Sequence, residues 1–521
     1  MKLEKTKNAK RIIFFDTISK IYNLFIPFLI RTLMIRIMGI QYIGLGSLFT
    51  SILSVLNLAE LGVGSAMVFS MYRSVAEDDK EKTCALMKVY RLYYRIIGLV
   101  IGMIGICIIP ILPRLIEENS LRTLPSDINI YVLYGLYLIS TVCTYWLFAY
   151  KNCILSAYQR NDIATRISMV TATIQYALQV AVICISKNYY LYIITVIVTE
   201  IANNIITAVV VSKLYPEYKC QGNLSKKEQK EIGNRIKDMF LYKIGGVFIT
   251  SVDTLVISAY LGITVLAQYN NYYYVVSAIC GFVNIIHGAC LAGVGNSLLT
   301  ETKEKIFSDL KKFFFLFYWI LGVCCCCFLC LFQPFITVWV GKENLLSIYI
   351  VVFFCIYFFF LESEIFLGLY RDAAGLWHED VPRTFVACIA NLCLNLWMVR
   401  RWEVYGILAS TFIQSIVISV PWMSHYVFRK IFTKMEHKYY IQRFVMYLLV
   451  TVLTCMITYG VCSVIPESSS MVTLIIRLPI CLVLPNILFF IFYRKREEFG
   501  AAIHFVDRMT NGKIKLLKKI V

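Results

Sequence analysis

Ionisable side chains stand inside long apolar runs at Arg31, Arg36, Glu60, Glu200, Lys243, Asp253, His287, Glu362 and Glu364. In hydrocarbon such a group costs about 2.5–3.5 kcal/mol on insertion scales, so each needs a partner or a polar cavity. Arg31 and Arg36 carry guanidinium forks, which suit bidentate binding of a phosphate or pyrophosphate. Glu60, Asp253, His287 and Glu364 can exchange protons or cations, and are the candidates for ion coupling. Asn57 shares a polar strip with Glu60, Gly62, Gly64 and Ser65 and is a cavity candidate. Tyr273 lies in the run YNNYYY at 269–274, whose hydroxyls and amides suit sugars. A plainer reading stands beside each: interhelical hydrogen bonding, snorkelling towards an interface, or, for 269–274, an interfacial aromatic belt. That plainer reading suits Arg36, Lys243 and Glu362, which lie near span ends.

Other chemistry finds no support. There is no Ser/His/Asp arrangement in a believable context, no P-loop and no DxD pattern. Asp78-Asp79 reads as a solvated turn. Most of the 19 cysteines lie in apolar runs, including the run 324–327, where Cys behaves as a small apolar residue. No CxxC faces a second pair at zinc spacing, so neither a metal nor a cofactor is expected. The net charge of +19 would suit nucleic acid, but its placement argues for Lys- and Arg-rich loops on one side of a membrane.

The elements that must carry these residues are spanning helices. Charged residues make up 16% of the chain, against about 25% in soluble domains. Apolar runs of about 20 residues recur throughout, and each is long enough to span a bilayer. Fourteen runs are expected: 12–35, 42–70, 89–112, 129–150, 163–186, 189–212, 238–261, 268–298, 313–336, 347–370, 382–400, 404–428, 443–465 and 470–493. Alternating the loops places Lys and Arg overwhelmingly on one side, in the N-terminal tail, around Lys80 and Lys82, in 213–237, in 303–312 and after Arg494. That asymmetry predicts cytoplasmic N- and C-termini.

The segment 31–72 has an echo at 253–297. Arg31-Thr32-Leu33 with Gly39 answers to Asp253-Thr254-Leu255 with Gly262, and Leu61-Gly-Val-Gly64-Ser65 answers to Ala292-Gly-Val-Gly295-Asn296. Internal repeats of this kind build transporters that hold substrate between two halves. The expected organisation is a six-helix bundle at 1–212, a cytoplasmic linker at 213–237 and a second six-helix bundle at 238–428. Two additional helices follow at 429–493, then a basic tail at 494–521, where an amphipathic surface helix and a disordered tail both fit. Fold class is therefore an all-α polytopic membrane protein. The outside loops are short, the longest being 114–128, and leave no room for an extracellular catalytic domain.

The segment 371–411 holds a Gly375-Leu376-Trp377 turn, Asp380 and Arg383 after it, an Asn391-x-x-x-Asn395 helix, and Gly406-Ile407 at the next helix start. In these pieces it resembles the O-antigen and capsular polysaccharide flippases. The stretches LNLAELGVGSA at 56–66 and Asp253-Thr254-Leu255-Val256-Ile257 are similar to the same family. The family sits in a superfamily with multidrug/toxin extruders and peptidoglycan lipid flippases. Glu403 departs from the pattern, standing where a small or apolar residue is expected. The resemblance implies two bundles around a cavity, alternating access, and export of undecaprenyl-pyrophosphate-linked oligosaccharide across the bacterial plasma membrane, with an ion gradient or membrane potential as driving force. It adds Asn391 and Asn395 as cavity residues. Membrane lipids, a polysaccharide polymerase and a chain-length regulator are the implied partners, and nucleic acid is not. A multidrug extruder or a peptidoglycan-precursor flippase are the alternatives within the class. A membrane polymerase or glycosyltransferase is the alternative outside it, and it would need a sizeable outer loop.

Overall fold

A computed structural model describes residues 5–60, 63–465 and 469–509. Leu61 and Gly62 of the first repeat motif, and the basic tail beyond residue 509, lie outside the described residues. Regular structure among the described residues is helical, with no strand. Contacts divide the chain into two compact units, Met1–Ala267 and Gln268–Val521.

The first unit holds α1 (Lys5–Ile37), α2 (Ile40–Leu56), α3 (Val63–Ala76), α4 (Lys80–Ile108), α5 (Glu118–Arg122), α6 (Ile130–Trp146), α7 (Asn152–Ala157), α8 (Asn161–Ala181), α9 (Tyr189–Leu214) and α10 (Lys226–Leu261). Helix α1 runs beside α8, where the Tyr22 hydroxyl meets the Thr173 hydroxyl at 2.8 Å. Helix α10 packs on α2 and α3. Its start is set by a capping box in which Ser225 and Glu228 satisfy each other's backbone N–H groups. The segment 213–237, read as a linker, thus contains the end of α9 and the first turns of α10.

The second unit comprises most of α11 (Ile263–Thr300), then α12 (Lys303–Val340), α13 (Ile348–Ala373), α14 (Trp377–Gln414), α15 (Val420–Ile431), α16 (Lys434–Val464), α17 (Ser470–Tyr493) and α18 (Glu497–Met509). Helix α12 is its spine, packed against α13, α16 and α17. Aromatic rings fill the seam, as where Phe314 meets Tyr318, Tyr440 and Tyr447 at 4.8–5.1 Å between centroids.

Ten described helices are long and apolar enough to cross a membrane, or eleven if the bent pair Ile130–Trp146 and Ala149–Ala157 is one span. The chain is a multi-pass membrane protein. The expected runs 42–70 and 238–261 include the shorter apolar stretches Ile40–Leu56 and, within α10, Gly245–Leu261. The runs 382–400 and 404–428 merge into continuous helix except at Glu403, whose φ of 48° and ψ of −130° break α14 into two arms.

The two turns aligned by the repeat share one geometry. Gly39 follows α1 with φ 120°, and Gly262 follows α10 with φ 92°. Each donates its N–H to the carbonyl five residues back, Met34 and Ile257. Only glycine enters this region without strain, so the match in the sequence is a match of backbone state.

Candidate functional site

In the first unit α2 ends at Leu56 with Asn57 as its cap, and a 3-10 turn over Asn57–Glu60 carries the Glu60 carboxylate inward. Tyr94 of α4 donates to Glu60 Oε1 at 2.7 Å, and Tyr145 of α6 donates to Oε2 at 3.0 Å. Tyr90, one turn from Tyr94 on the same helix face, donates to the Tyr94 hydroxyl at 2.8 Å. Two phenols thus hold the carboxylate, and a third extends the chain of hydroxyls. Gly64 fits beneath them, since a Cβ there would stand 3.3 Å from the Tyr90 hydroxyl.

Glu60 borders a cavity of about 350 Å³. Its far wall is a strip of polar residues on α8 and α9, among them Ser168, Thr171, Gln175, Thr199, Glu200 and Asn203. Ser140 donates to Glu200 at 2.6 Å, Thr171 to Asn203 at 3.1 Å, and Thr199 to Gln175 at 3.0 Å. The cavity lining contains two carboxylates and no Lys or Arg. A low-dielectric pocket with that charge attracts protons or small cations and repels anions. Sequence reasoning singled out Glu60 but not Glu200 as a site residue. The signal was present: polar residues at 168, 171 and 175, and at 199, 200, 203 and 204, follow helical spacing inside apolar runs.

The other first-unit candidates stand apart from this cavity's lining. Arg31 is half-buried on α1, with its guanidinium within electrostatic reach of the Tyr192 hydroxyl on α9. Arg36 is exposed in the last turn of α1. The Asn57 side-chain carbonyl is buried without a hydrogen-bond partner among the described residues. Asp253 is 4% exposed on α10. Arg31 and Asp253, paired by the repeat, therefore belong to the same unit.

The second unit concentrates its charge at the junction of α13 and α14. Helix α13 ends in a Schellman turn: Leu376 N–H bonds the Arg371 carbonyl, Gly375 N–H bonds that of Asp372, and Gly375 takes φ 68°. The turn brings Asp380, 1% exposed in the first turn of α14, against three donors. Arg383 reaches it through Nε at 2.5 Å and Nη2 at 2.9 Å, Arg371 through Nη1 at 2.7 Å, and Tyr426 at 2.9 Å. Arg383 also donates to Ser419 at 2.8 Å and to Glu364 at 3.4 Å, and Glu364 accepts a short bond from Ser415. Asp372 accepts from Arg371 at 2.8 Å, and His287 Nε2 lies 3.9 Å from it. Glu364 is thus tied into an ion-pair lattice.

Asn391 and Asn395 are fully buried in a ladder between the two arms of α14. Asn391 donates to Thr411 at 3.0 Å, Asn395 donates to Asn391 at 3.1 Å, and Ser410 donates to Asn395 at 2.5 Å. Gly406 lets the arms close, since a Cβ there would meet the Met398 carbonyl at 2.5 Å. Tyr273 stacks on Tyr269 at 6.0 Å between centroids, with Tyr357 edge-on at 6.4 Å. A second cavity, of about 610 Å³, runs between α11, α12 and α13. Its walls include Val294, Leu316, Phe317 and Phe366, and Lys305, Asp309 and Lys312 border it.

A sequence model of the family described as polysaccharide biosynthesis protein matches residues 10–291. Among curated proteins, none matches. Among solved structures, the fold resembles the lipid II flippase MurJ in an inward closed conformation, at TM-score 0.64 and 16% identity, covering 92% of this chain and 99% of that one. It also resembles an inward-facing multidrug resistance MATE transporter of the MOP superfamily, at TM-score 0.60 and 13% identity over 78% of this chain and 94% of that one. A MOP-superfamily transporter from Pyrococcus furiosus follows at TM-score 0.50 and 12% identity, over 81% and 95%. At these identities the likenesses establish a shared fold. The match over more than half of the sequence establishes more: the chain belongs to the polysaccharide biosynthesis protein family.

Proposed function

We propose that this chain is a flippase for lipid-linked oligosaccharide, carrying undecaprenyl-pyrophosphate-linked repeat units from the cytoplasmic to the outer leaflet of the bacterial plasma membrane by alternating access. Family membership and the transporter fold support the class. The observation that carries the mechanism is the acidic, tyrosine-lined cavity of the first unit. In this reading Glu60 and Glu200 take up the coupling proton or cation. Tyr94 and Tyr145 hold the Glu60 carboxylate in place through both oxygens, so loading and unloading would rearrange α4 and α6 together. Arg31 is assigned to the pyrophosphate, because its guanidinium fork suits bidentate binding of phosphate oxygens. The apolar cavity of the second unit suits a prenyl chain. No step in this reading breaks a covalent bond.

A second reading has its own support. A cavity with two carboxylates and no cation also fits a positively charged organic substrate, which would make the chain a drug extruder. Purified protein in liposomes, given a fluorescent polyprenyl-pyrophosphate oligosaccharide and an imposed ion gradient, separates the two. Gradient-sensitive transfer between leaflets is expected, lost in Arg31→Ala and insensitive to the gradient in Glu60→Gln. Movement of a cationic dye in place of the lipid would establish the second reading. Wild-type transfer rates in both Arg31→Ala and Arg31→Lys would remove Arg31 from the mechanism.

A further inference from the structure

Helix α12 carries a cysteine-rich stretch, and one of its members meets two more from the last transmembrane pair. The sulfurs of Cys330 on α12, Cys462 on α16 and Cys481 on α17 all lie within 4.8 Å of one another, and all three residues are buried. Cys462 and Cys481 stand 4.0 Å apart. An ion bound at about 2.3 Å by three thiolates in one plane holds their sulfurs about 4.0 Å apart, since the triangle's edge is √3 times the bond. The Cys462–Cys481 edge matches that value, and the other two edges lie within 4.8 Å, in reach of one ion. A disulfide needs about 2.05 Å and would join only two of the three.

Burial alone has a simple explanation, because Cys packs as a small apolar residue. Arg477 does not fit that explanation. It sits on α17 within an apolar span, one turn from Cys481. Its Nη1 reaches the Cys330 carbonyl at 3.5 Å, and its Nε is buried with no hydrogen-bond partner among the described residues. A guanidinium held there calls for negative charge nearby. Three thiolates around a divalent ion leave one negative charge, which Arg477 cancels. Soft thiolate ligands select zinc and copper(I) over harder ions, and the charge balance favours the divalent one.

We propose that Cys330, Cys462 and Cys481 form a three-thiolate site for Zn²⁺, with Arg477 as counter-charge. Binding converts three thiols and one Zn²⁺ into a Zn–trithiolate anion and three protons, which leave to solvent. The bound ion fastens α16 and α17 to α12. The site is independent of what the chain transports.

The test uses the reduced full-length chain in detergent, given Zn²⁺ and then desalted. About one Zn²⁺ per chain is expected to remain, with X-ray absorption showing sulfur neighbours at about 2.3 Å. In chelator competition, replacing Cys330, Cys462 or Cys481 by Ser lowers affinity at least tenfold, and Arg477→Gln lowers it about 10–100-fold as an outer-shell change. Cys326→Ala and Cys455→Ala, which remove a neighbouring thiol pair 3.5 Å apart, leave it unchanged. Zn²⁺ also raises the melting temperature of the wild type but not of the three variants. A wild-type chain that retains no Zn²⁺, a shell of nitrogen or oxygen ligands, or equal retention by a folded Cys330→Ser variant would each overturn the site. The wild-type absorption spectrum decides the matter even if the serine variants misfold.

Discussion

Asp380→Asn is the substitution that most directly interrogates the second unit. The change keeps shape and removes a charge. In the native arrangement the carboxylate, 1% exposed, accepts four hydrogen bonds from Arg383, Arg371 and Tyr426. The amide can accept on one oxygen only, and its NH₂ group faces guanidinium donors. Arg371 keeps Asp372, and Arg383 keeps Ser419 and a longer contact to Glu364, so neither cation is wholly abandoned. Removing one member of a buried pair costs about 3–5 kcal/mol, mostly as the uncompensated charge left behind. Replacing both members, as in Asp380→Leu with Arg383→Met, removes the two facing charges together, while Arg371 keeps Asp372 and Glu364 keeps its bond from Ser415, so the double change costs less than the single one. The assay is the fraction of monodisperse protein after a heating series in detergent. The expected order of stability is wild type, then the double variant, then Asp380→Asn. A single variant as stable as wild type, or a double variant less stable than the single, would refute the account of Asp380 as the neutralising centre.

Three further outcomes follow from local geometry. Glu403 holds φ 48° and ψ −130°, close to the first central position of a type II′ turn, so Glu403→Gly relieves strain and raises the melting temperature, the gain being about 1 kcal/mol after glycine's added chain entropy. Gly44→Ala drives a Cβ to 2.4 Å from the Ile263 carbonyl oxygen and costs about 1–3 kcal/mol, whereas Gly135→Ala, with nothing within 4 Å, is neutral or stabilising in the same heating series. Glu228 caps α10 and pairs with Lys82 at 2.7 Å, and these contacts hold its carboxyl at about 2, below the ordinary 4.5. Its contribution, about 0.2–1 kcal/mol for an exposed pair, is therefore complete above pH 4.5 and lost as pH falls towards 2. Amide protection in the first turns of α10, taken relative to intrinsic exchange at each pH, should fall over that window in the wild type and should already be low at pH 4.5 and above in Glu228→Gln.

Much of this architecture is legible in the sequence because the bilayer enforces length and hydropathy on every span. The glycine turns at Gly39 and Gly262 were readable for a second reason: a positive φ admits few residues, so backbone state leaves a mark in residue type. Side-chain partnership left weaker marks. The family resemblance implies Asn391 and Asn395 as cavity residues, and the bonds their amides make between the two arms of α14 are a partnership that spacing alone does not disclose. Glu200 reads in the sequence as one more costly carboxylate, and its place opposite Glu60 emerges only when α9 is set beside α6 and α8. The cysteine triangle is invisible for the same reason, since its members come from three helices 132 and 19 residues apart in sequence (462 − 330 and 481 − 462).

The broken helix α14 has a consequence for how the protein is made. Its two arms carry each other's polar partners, Asn391 with Thr411 and Asn395 with Ser410, and close at a turn flanked by Trp397 and Trp402 with rings 5.6 Å apart. An amide delivered alone into hydrocarbon would arrive with its hydrogen bonds unmade, at a cost the bilayer does not refund. Delivered as a pair, the arms leave the insertion machinery already satisfied. The hairpin is thus a natural unit of biogenesis: ribosome-stalled chains ending between the arms should linger at the translocon, and chains that extend past Gln414 should partition into lipid together.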